Sequence, residues 1–408
     1  MQMAILDMTA MNSALKELYD SQTVENLVYS DNPFLAMLNK KTDFGGKYKP
    51  VPVITGNSQG RSATFAQAQA NQSPVQIESF FLTRVSDYSI AQIDNQTMLA
   101  SKTDKMSFLE GAKVLIDGAI SSATLSLSSA LFRAGTGVVG RASGAITSGA
   151  ITLTIPGDIV NFEVNMTLQA SATDGGAVRV AYGYVKSVNR SAGTLVISAS
   201  YGGAAGTPAS WTNDDYLTQA GDLNAKVKGL SAWIPTAAPT SGDNFFGVDR
   251  SVDSTRLAGV RYDGSTQPIE EALIDASSLL AREGGKPDVC IMSFVSYAAL
   301  EKSLGAKVQY VDMKGPGTIA FRGIQINGAN SMIKCFPDRS CLGATAFLLT
   351  MKSWCLESLG EAPQIFRYGD GLEMLRVYNA DAGEVRVGYY AQLSCNAPGW
   401  NARVTLSV

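Results

Sequence analysis

The amino-acid sequence predicts an α+β protein of two or three domains. Residues 104–133 place apolar side chains three and four positions apart, which is the period of one face of a long α-helix. Residues 136–220 alternate apolar and polar side chains in short runs separated by turns, which is typical of β-strands. Helical and strand patterns are mixed from residue 226 onward. The 408 residues also exceed the usual size of one hydrophobic core, so several domains are expected.

A long β-hairpin is predicted for residues 51–93. Strand-like runs at 51–54 and 75–82 flank a polar segment, residues 59–74, whose only large apolar side chain is Phe65. With about fifteen residues in each arm, at about 3.3 Å per residue, the hairpin would reach roughly 50 Å. An isolated two-stranded hairpin is only marginally stable in water. We therefore expect another copy of the chain to hold it.

The helix at residues 104–133 is expected to act as a spine to which other elements attach. About thirty residues at about 1.5 Å each give a length of roughly 45 Å. Thr103 or Asp104 can cap its start, and Gly135 can end it. Its apolar stripe consists of Leu109, Ala112, Ile116, Ile120, Ala123, Leu127 and Leu131.

The alternating segment after this helix is predicted to be an inserted β-rich domain, a small barrel or sandwich. Its clearest strands are at residues 150–155, 178–182 and 194–198. In the mixed part that follows, helices are predicted at residues 268–283 and 294–304. Strands are predicted there at residues 289–292, 324–326, 332–336, 346–350, 372–377, 384–394 and 402–406.

The composition argues against an enzyme and against a metal or cofactor site. The chain has no histidine, which removes the commonest general base and the commonest metal ligand. Its five cysteines form no C-x-x-C pair, and we interpret them as reduced packing residues. A net charge of −3 is unlike the basic field of a dedicated nucleic-acid-binding protein. Charged residues make up only 17%, which suggests surfaces covered by partners.

The sequence predicts neither secretion nor a membrane anchor. The first seven residues lack the basic start and apolar core of a signal peptide. No apolar run in the sequence approaches the 18 or so residues that a membrane span needs. We therefore expect a protein that is made and kept in a cytoplasm.

The order of these parts, together with several local motifs, resembles one family of shell proteins. The motifs are Asp31-Asn-Pro-Phe-Leu35, Asp43-Phe-Gly-Gly-Lys-Tyr-Lys-Pro50, Pro287-Asp-Val-Cys-Ile-Met-Ser293, Cys335-Phe-Pro-Asp-Arg339 and Asn396-Ala-Pro-Gly399. They are spread over most of the chain. The sequence in this respect resembles the major capsid proteins of tailed bacteriophages, which have the Hong Kong ninety-seven-type, or Johnson, fold.

The resemblance implies a division of the chain into the parts of that fold. Residues 1–50 would form the N-terminal arm, and residues 51–93 the extended loop. Residues 94–135 and 361–408 would form the peripheral domain with the spine helix. Residues 136–222 would be the inserted β-barrel-like domain, and residues 223–360 the axial domain.

The resemblance also implies a function and a set of partners. The chain would self-assemble as homo-pentamers and homo-hexamers into an icosahedral viral head that encloses double-stranded DNA, contacted without sequence specificity. A portal protein, a separate scaffolding protein and a decoration protein are expected as further partners. The protein would be found in the virion capsid, assembled in the cytoplasm of the host bacterium. No membrane and no cofactor are expected.

Four residues are candidates for contacts between subunits, namely Arg61, Phe65, Arg84 and Phe34. Arginine pairs with a carboxylate through two hydrogen bonds, which suits Arg61 and Arg84 for a contact with a neighbour. Some members of the family join neighbours by an isopeptide bond from a lysine of the loop. This chain has no lysine between Lys49 and Lys102, so non-covalent locking is expected, by the inserted domain or by a decoration protein.

Two other interpretations remain open. The same fold occurs in encapsulin-type compartments, which enclose protein cargo, although the inserted β-rich segment and the lack of a cargo-docking signature argue against that class. A tail-associated or carbohydrate-binding β protein is the alternative from a different class. Particle size separates the classes, because a shell protein forms large assemblies and a binding module does not.

Overall fold

The computed structural model describes residues 32–96, 105–305, 310–314, 320–367 and 374–407. Over these ranges the α+β prediction is confirmed, and the motif and capping residues at positions 31, 103 and 104 lie outside them. The labelled α-helices are α1 (Pro33–Met37), α2 (Phe65–Ala70), α3 (Lys105–Phe132), α4 (Leu230–Trp233), α5 (Ile269–Arg282) and α6 (Phe294–Leu304).

The strands form two large sheets, a barrel and two small hairpins. In chain order they are β1 (Asn39–Lys41), β2 (Lys49–Gly56), β3 (Gln76–Leu82), β4 (Val85–Asp94), β5 (Val138–Arg141), β6 (Ala150–Thr152), β7 (Thr167–Ser171), β8 (Gly183–Asn189), β9 (Thr194–Ser198), β10 (Tyr216–Gln219), β11 (Asn244–Phe245), β12 (Val248–Asp249), β13 (Val260–Gly264), β14 (Val289–Met292), β15 (Tyr310–Lys314), β16 (Ala320–Asn327), β17 (Met332–Pro337), β18 (Thr345–Leu349), β19 (Trp354–Ser358), β20 (Gln364–Ile365), β21 (Met374–Arg376), β22 (Ala382–Cys395) and β23 (Ala402–Leu406).

The predicted spine is the single helix α3, which packs against β4 and β22. The members of the predicted stripe whose side chains are described are all buried, namely Ile116, Ile120, Ala123, Leu127 and Leu131. Gly135 follows the helix with a φ of 84°. A Cβ at that position would lie 2.8 Å from Cγ of Lys228, so glycine is required both by the backbone conformation and by the close approach.

Part of the spine is long and apolar enough to cross a membrane, contrary to the expectation from the sequence. The segment Lys113–Phe132 has a mean hydropathy of 1.4. Half of the most apolar window is buried inside the protein, because one face of the helix packs on the sheet. A core helix meets the same length and composition criterion, and here the sheet accounts for the apolar face.

The first large sheet is organised around β22. The sheet runs in the order β1, β19, β22 and β20, and β4 and β21 also pair with β22. The antiparallel pairing of β22 with β4 extends from Ala382 opposite Asp94 to Ala391 opposite Val85. We call this sheet, together with α3, the peripheral body.

The second large sheet runs in the order β13, β23, β18, β14, β17, β16 and β15, with α5 and α6 packed on it. We call this part the axial body. Strand β14 and helix α6 have the predicted bounds, and Ser293 caps α6 by accepting a hydrogen bond from the Ser296 amide at 3.3 Å. All four residues of β14 are buried, since strands flank it on both sides and helices cover one face.

Two strands lie in different bodies from those that the sequence division suggested. The C-terminal strand β23 was expected in the peripheral domain, but it pairs with β13 and β18 in the axial sheet. Strand β19 was expected in the axial domain, but it pairs with β22 in the peripheral sheet. The chain therefore crosses between the bodies twice near its end. Local pattern does not reveal such crossings, because it identifies a strand without identifying its partner.

The inserted domain is a six-stranded barrel with a core of its own. Its strands follow the order β5, β10, β7, β8, β9 and β6. Two hydrogen bonds next to the edge strands β5 and β6 close the sheet into a barrel. The Ser143 amide donates to the Thr152 carbonyl at 2.7 Å, and the Thr154 amide donates to the Arg141 carbonyl at 2.9 Å. The strand predicted at residues 178–182 is irregular, and β8 begins only at Gly183.

The barrel enters and leaves the chain at one place. The Asn224 amide donates to the Thr136 carbonyl at 3.0 Å, so the two connecting segments run side by side. Gly137 lies in this junction with a φ of 81°, and a Cβ there would come 2.2 Å from the carbonyl oxygen of Asp222. Any other residue would push the two segments apart.

The hairpin is shorter than predicted. Strands β2 and β3 pair from Lys49 opposite Leu82 to Gly56 opposite Gln76. Residues 85–93 lie within the range predicted for the hairpin, but they belong to β4 and pair with β22 in the peripheral sheet. The arms therefore have seven or eight residues, about half of the predicted length. The part that has no buried residue is the tip, residues 57–75.

A cluster of aromatic rings holds the hairpin on the body. The ring of Phe80 lies 5.0 Å from that of Trp233 and 6.2 Å from that of Phe245, in edge-to-face arrangements. The Phe81 amide donates to the Phe246 carbonyl at 2.9 Å. Trp233 in turn donates its indole N–H to the Leu393 carbonyl of β22 at 3.1 Å. The hairpin is thus fixed to the peripheral body through one indole.

Replacement of Phe80 by alanine should lower the free energy of unfolding by about 3–5 kcal/mol, because a fully buried ring is lost and a cavity remains. Urea unfolding followed by circular dichroism measures the change. Phe65→Ala is the matched control, since that ring is 81% exposed, and it should change the free energy by no more than about 0.5 kcal/mol. Equal effects of the two substitutions would contradict the assigned packing.

Candidate assembly surfaces and their anchors

The hairpin exposes an apolar face. Ile54 and Ile77 lie opposite each other on the two strands and are 57% and 59% exposed. Phe81 on the same face is half exposed. At the tip, helix α2 has no buried residue, and Phe65 projects into solvent. Contiguous exposed apolar side chains mark sites of interaction with other proteins.

Lys49 fixes the base of this hairpin electrostatically. Its ammonium group donates to Asp43 Oδ1 at 2.8 Å and to Glu357 Oε2 at 2.6 Å, and Glu357 is buried. Burial alone lowers the pKa of Lys49, but the hydrogen bonds to the two carboxylates outweigh it, so the pKa lies above its usual value. The hydrogen bond from Lys49 likewise lowers the pKa of Asp43. The base of the hairpin is thus tied to β19 through Glu357.

The four predicted contact residues fall into two groups. Arg61 and Phe65 are exposed at the tip. Arg84 is half-buried, donates to the Phe44 carbonyl and lies 5.3 Å from the centre of the Phe44 ring. It therefore anchors the chain to itself, and its role towards a neighbour stays a prediction.

Phe34 was predicted to contact another subunit, but the structure places it inside its own. The side chain is fully buried, and its ring lies 5.3 Å from that of Phe132 at the end of the spine. The short helix α1 presents it to the core. The apolar residues Phe34, Leu35, Ala36 and Leu38 are therefore part of the subunit's own core.

Sequence analysis missed a buried polar joint where the barrel connection meets the peripheral body. The ammonium group of Lys226 lies 2.7 Å from Asp87 Oδ2 and 3.0 Å from Asp222 Oδ2, and it donates to Ser126 Oγ at 2.9 Å. The Tyr389 hydroxyl donates to the same oxygen of Asp87 at 3.0 Å. The joint therefore links β4, α3, β22 and the segment that leaves the barrel.

Burial governs the electrostatics of this joint. It raises the pKa of Asp222, against the opposing effect of Lys226, and it raises the pKa of Tyr389 well above the usual value. A second ion pair secures the barrel itself, from Arg133 Nη2 at the end of the spine to Asp158 Oδ1 at 2.8 Å. The side chains come from positions far apart in sequence, so no local motif could reveal them.

Sequence analysis also missed the structural role of another buried carboxylate, that of Asp338. This residue lies in one of the motifs that carry the family resemblance. Its oxygens accept hydrogen bonds from the Phe34 amide at 3.3 Å and from the Ser340 amide at 2.9 Å. Burial raises its pKa to about 6, against the effect of these two amides. Asp338 thus holds the first turn of α1 against the axial body.

The apolar face of the hairpin and the ion pairs described above suit the binding of another protein by burial of apolar side chains and by pairing of charges. Among the described residues, no group of three or more histidine, cysteine, aspartate or glutamate side chains is placed to hold a metal ion. All five cysteines are free thiols. The groups with shifted pKa values that we describe serve as anchors between structural elements.

The structure is similar over most of its length to solved structures of shell proteins. The capsid of cyanophage A-1(L) is 13% identical, with a TM-score of 0.48, and the alignment covers 92% of this chain and 93% of that one. The capsid of a native GTA particle is 7% identical, with a TM-score of 0.45 and coverage of 93% and 91%. An encapsulin complex from Synechococcus elongatus is 8% identical, with a TM-score of 0.43 and coverage of 99% and 96%.

Phage capsid proteins, the family that the sequence resembles, are thus among the proteins of similar structure. A scan against protein-family models found no match, and neither did a search of curated proteins. Identities at this level carry no residue's role from those proteins to this chain.

The replacement Lys226→Met should lower the free energy of unfolding by about 3 kcal/mol, the low end for a broken buried ion pair, because it leaves two half-buried carboxylates without their cation. Thermal and urea unfolding measure the loss. Lys186→Met on the exposed face of the barrel is the control and should have little effect. If the two variants were equally stable, the joint would not have the importance assigned to it.

The replacement Asp338→Asn should remove one pH-dependent contribution to stability. An acid whose pKa is raised on folding destabilises the folded state when it is ionised, so this cost is present above about pH 6 and disappears as the pH falls towards 3.8. As the pH is lowered from about 7.5 to about 5, the free energy of unfolding of the wild type should therefore rise relative to that of the variant. Urea unfolding of both proteins at both pH values measures this difference in free energy. A difference that is the same at the two pH values would refute the assignment.

Proposed function

We propose that this protein is the major capsid protein of a tailed bacteriophage, which self-assembles as pentamers and hexamers into an icosahedral head enclosing double-stranded DNA. The observation that supports it most directly is the hairpin. Its tip has no buried residue and its outer face is apolar, while its base is held by Phe80 and Lys49. Such an element gains stability when a neighbour covers it.

The arrangement favours rings. The exposed hairpin and the body are different surfaces of one chain, so a contact between them on two copies is heterologous. Heterologous contacts repeat from copy to copy and close into a ring when the rotation is a whole fraction of a turn. Five-fold and six-fold rings of this kind are the units from which an icosahedral shell is built.

The fold also supports movement of whole bodies during maturation. The spine runs along the peripheral body, and the axial body packs against its end, where the ring of Phe132 lies 6.2 Å from that of Phe347. The barrel is tied to the spine by polar contacts of Lys226 and Arg133, and packed bodies that meet at such a junction can rotate as units. Rotation around the spine is accordingly the change that we propose for maturation of the shell.

The remaining partners follow from the same proposal. A portal protein, a scaffolding protein and a decoration protein would complete the head in the bacterial cytoplasm. The net charge of −3 favours few phosphate contacts with the packaged DNA, weakened by salt and independent of sequence. Neighbours would be locked without a covalent bond, since the hairpin carries no lysine beyond Lys49.

The purified protein should form shells of megadalton mass or rings of five or six chains, rather than a monomer of 43.1 kDa. Size-exclusion chromatography with light scattering measures the mass, and electron microscopy of particles from infected cells shows the content. DNA-filled shells are expected. Shells filled with protein would favour the encapsulin-type compartment, and a monodisperse monomer under all conditions would refute a shell function.

A further inference from the structure

A groove of about 490 Å³ runs beside the outer half of β2. Its walls come from Ile54 on the hairpin, from Ala397 and Trp400 on the loop before β23, and from Glu283 at the end of α5. Trp400 is 37% exposed although it is one of the largest apolar side chains. A volume of this size is within the range of cavities that bind small organic groups.

The groove is unsuited to an added β-strand. The Phe81 amide bonds to Phe246 outside the hairpin, so Phe81 and its partner Pro50 form a pair without mutual hydrogen bonds. Pro52 and Ile54 follow Pro50 at intervals of two, so their backbone groups also point away from β3, towards the free edge of β2. Because proline has no N–H, two of these three residues have no backbone hydrogen to donate to an added strand. An inserted side chain is therefore the occupant that fits.

The tip of the hairpin carries a side chain of suitable chemistry. Phe65 begins α2 and is 81% exposed. Hydrogen bonds within the tip, from the Gln59 amide to Ser73 Oγ at 3.0 Å and from Asn71 Nδ2 to the Arg61 carbonyl at 3.3 Å, hold it in this conformation. Since Phe65 is directed into solvent and away from the groove of its own chain, a phenylalanine ring of the tip can enter the groove only from a different copy.

The charges of tip and groove are complementary. Arg61 is the only charged residue between positions 57 and 75. In the groove, Arg256 donates to the Thr55 carbonyl at 3.2 Å and lies 3.6 Å from Asp253. Glu283 lies 3.4 Å from the exposed Arg282, and exposed ion pairs of this kind are worth little. Because Arg256 is also held by a backbone carbonyl, Glu283 is the carboxylate of the groove that an incoming arginine can engage.

We propose that the hairpin tip of one copy inserts Phe65 into this groove of a second copy, with Arg61 paired to Glu283. The inference rests on the proposed function, because it names the surface that receives the hairpin in the shell. An aromatic anchor in an apolar pocket beside one ion pair is the usual composition of the energetic centre of an interface.

A charge exchange tests the ion pair. Arg61→Glu and Glu283→Arg should each reduce the assembled fraction at fixed protein concentration by about tenfold, and the double variant should recover most of it. Glu271→Arg, on the exposed side of the same helix, is the control and should assemble like the wild type. If the single variants assembled normally, or if the double variant failed to recover, the pairing would be overturned while the shell function stood.

A cross-link tests the contact without requiring a complete shell. Chains with Ala66→Cys, which keeps the ring of Phe65, are mixed with chains carrying Ala397→Cys under mild oxidation, and a disulfide between positions 66 and 397 is sought by mass spectrometry. The expected product joins two different copies. Tyr378→Cys replaces Ala397→Cys in the control, because that position is 98% exposed and lies outside the groove. Equal yields from the two mixtures, or no cross-link in either, would refute the contact even if the protein formed no shells.

Discussion

The long antiparallel ladder between β22 and β4 holds the spine, the hairpin and most of the peripheral sheet in place. Ten residues of each strand are paired, and β22 also pairs with β19, β20 and β21. The spine helix packs on both strands, and Tyr389 of β22 bonds to Asp87 of β4 in the buried joint. Because the hairpin leads directly into β4, the same ladder fixes where the hairpin leaves the body.

The axial sheet shares a hydrophobic core with this ladder, and the smaller parts are joined to the body by individual buried groups. Lys226 connects the barrel segment, Asp338 holds the arm helix, and Trp233 links the hairpin to the carbonyl of Leu393 in β22. Buried charges cost free energy unless they are paired or hydrogen-bonded, so these groups specify one geometry for each junction. Charged residues make up only 17% of the chain, below the quarter or so that is typical of soluble proteins.

Much of the fold could be predicted because its signals are local. The buried run at Val289–Met292, the capped helix Phe294–Leu304 and the apolar stripe of the spine follow from neighbouring residues alone. The exposed tip around Phe65 could also be predicted, since a segment with one apolar residue cannot form a core. The anchors Lys226 and Asp338 could not, because their partners lie in distant parts of the sequence.

Most of the elements, their order and the absence of a core in the hairpin tip can be predicted from sequence alone, since periodicity and turn residues act over a few positions. The partner of each strand, in contrast, is set by the tertiary fold. That fold placed the return strand Val85–Asp94 in the peripheral sheet, moved Ala402–Leu406 to the axial sheet and buried Phe34 against Phe132. An alternating pattern specifies that one face of a strand is buried, but the neighbour that buries it is selected by the packing of the whole chain.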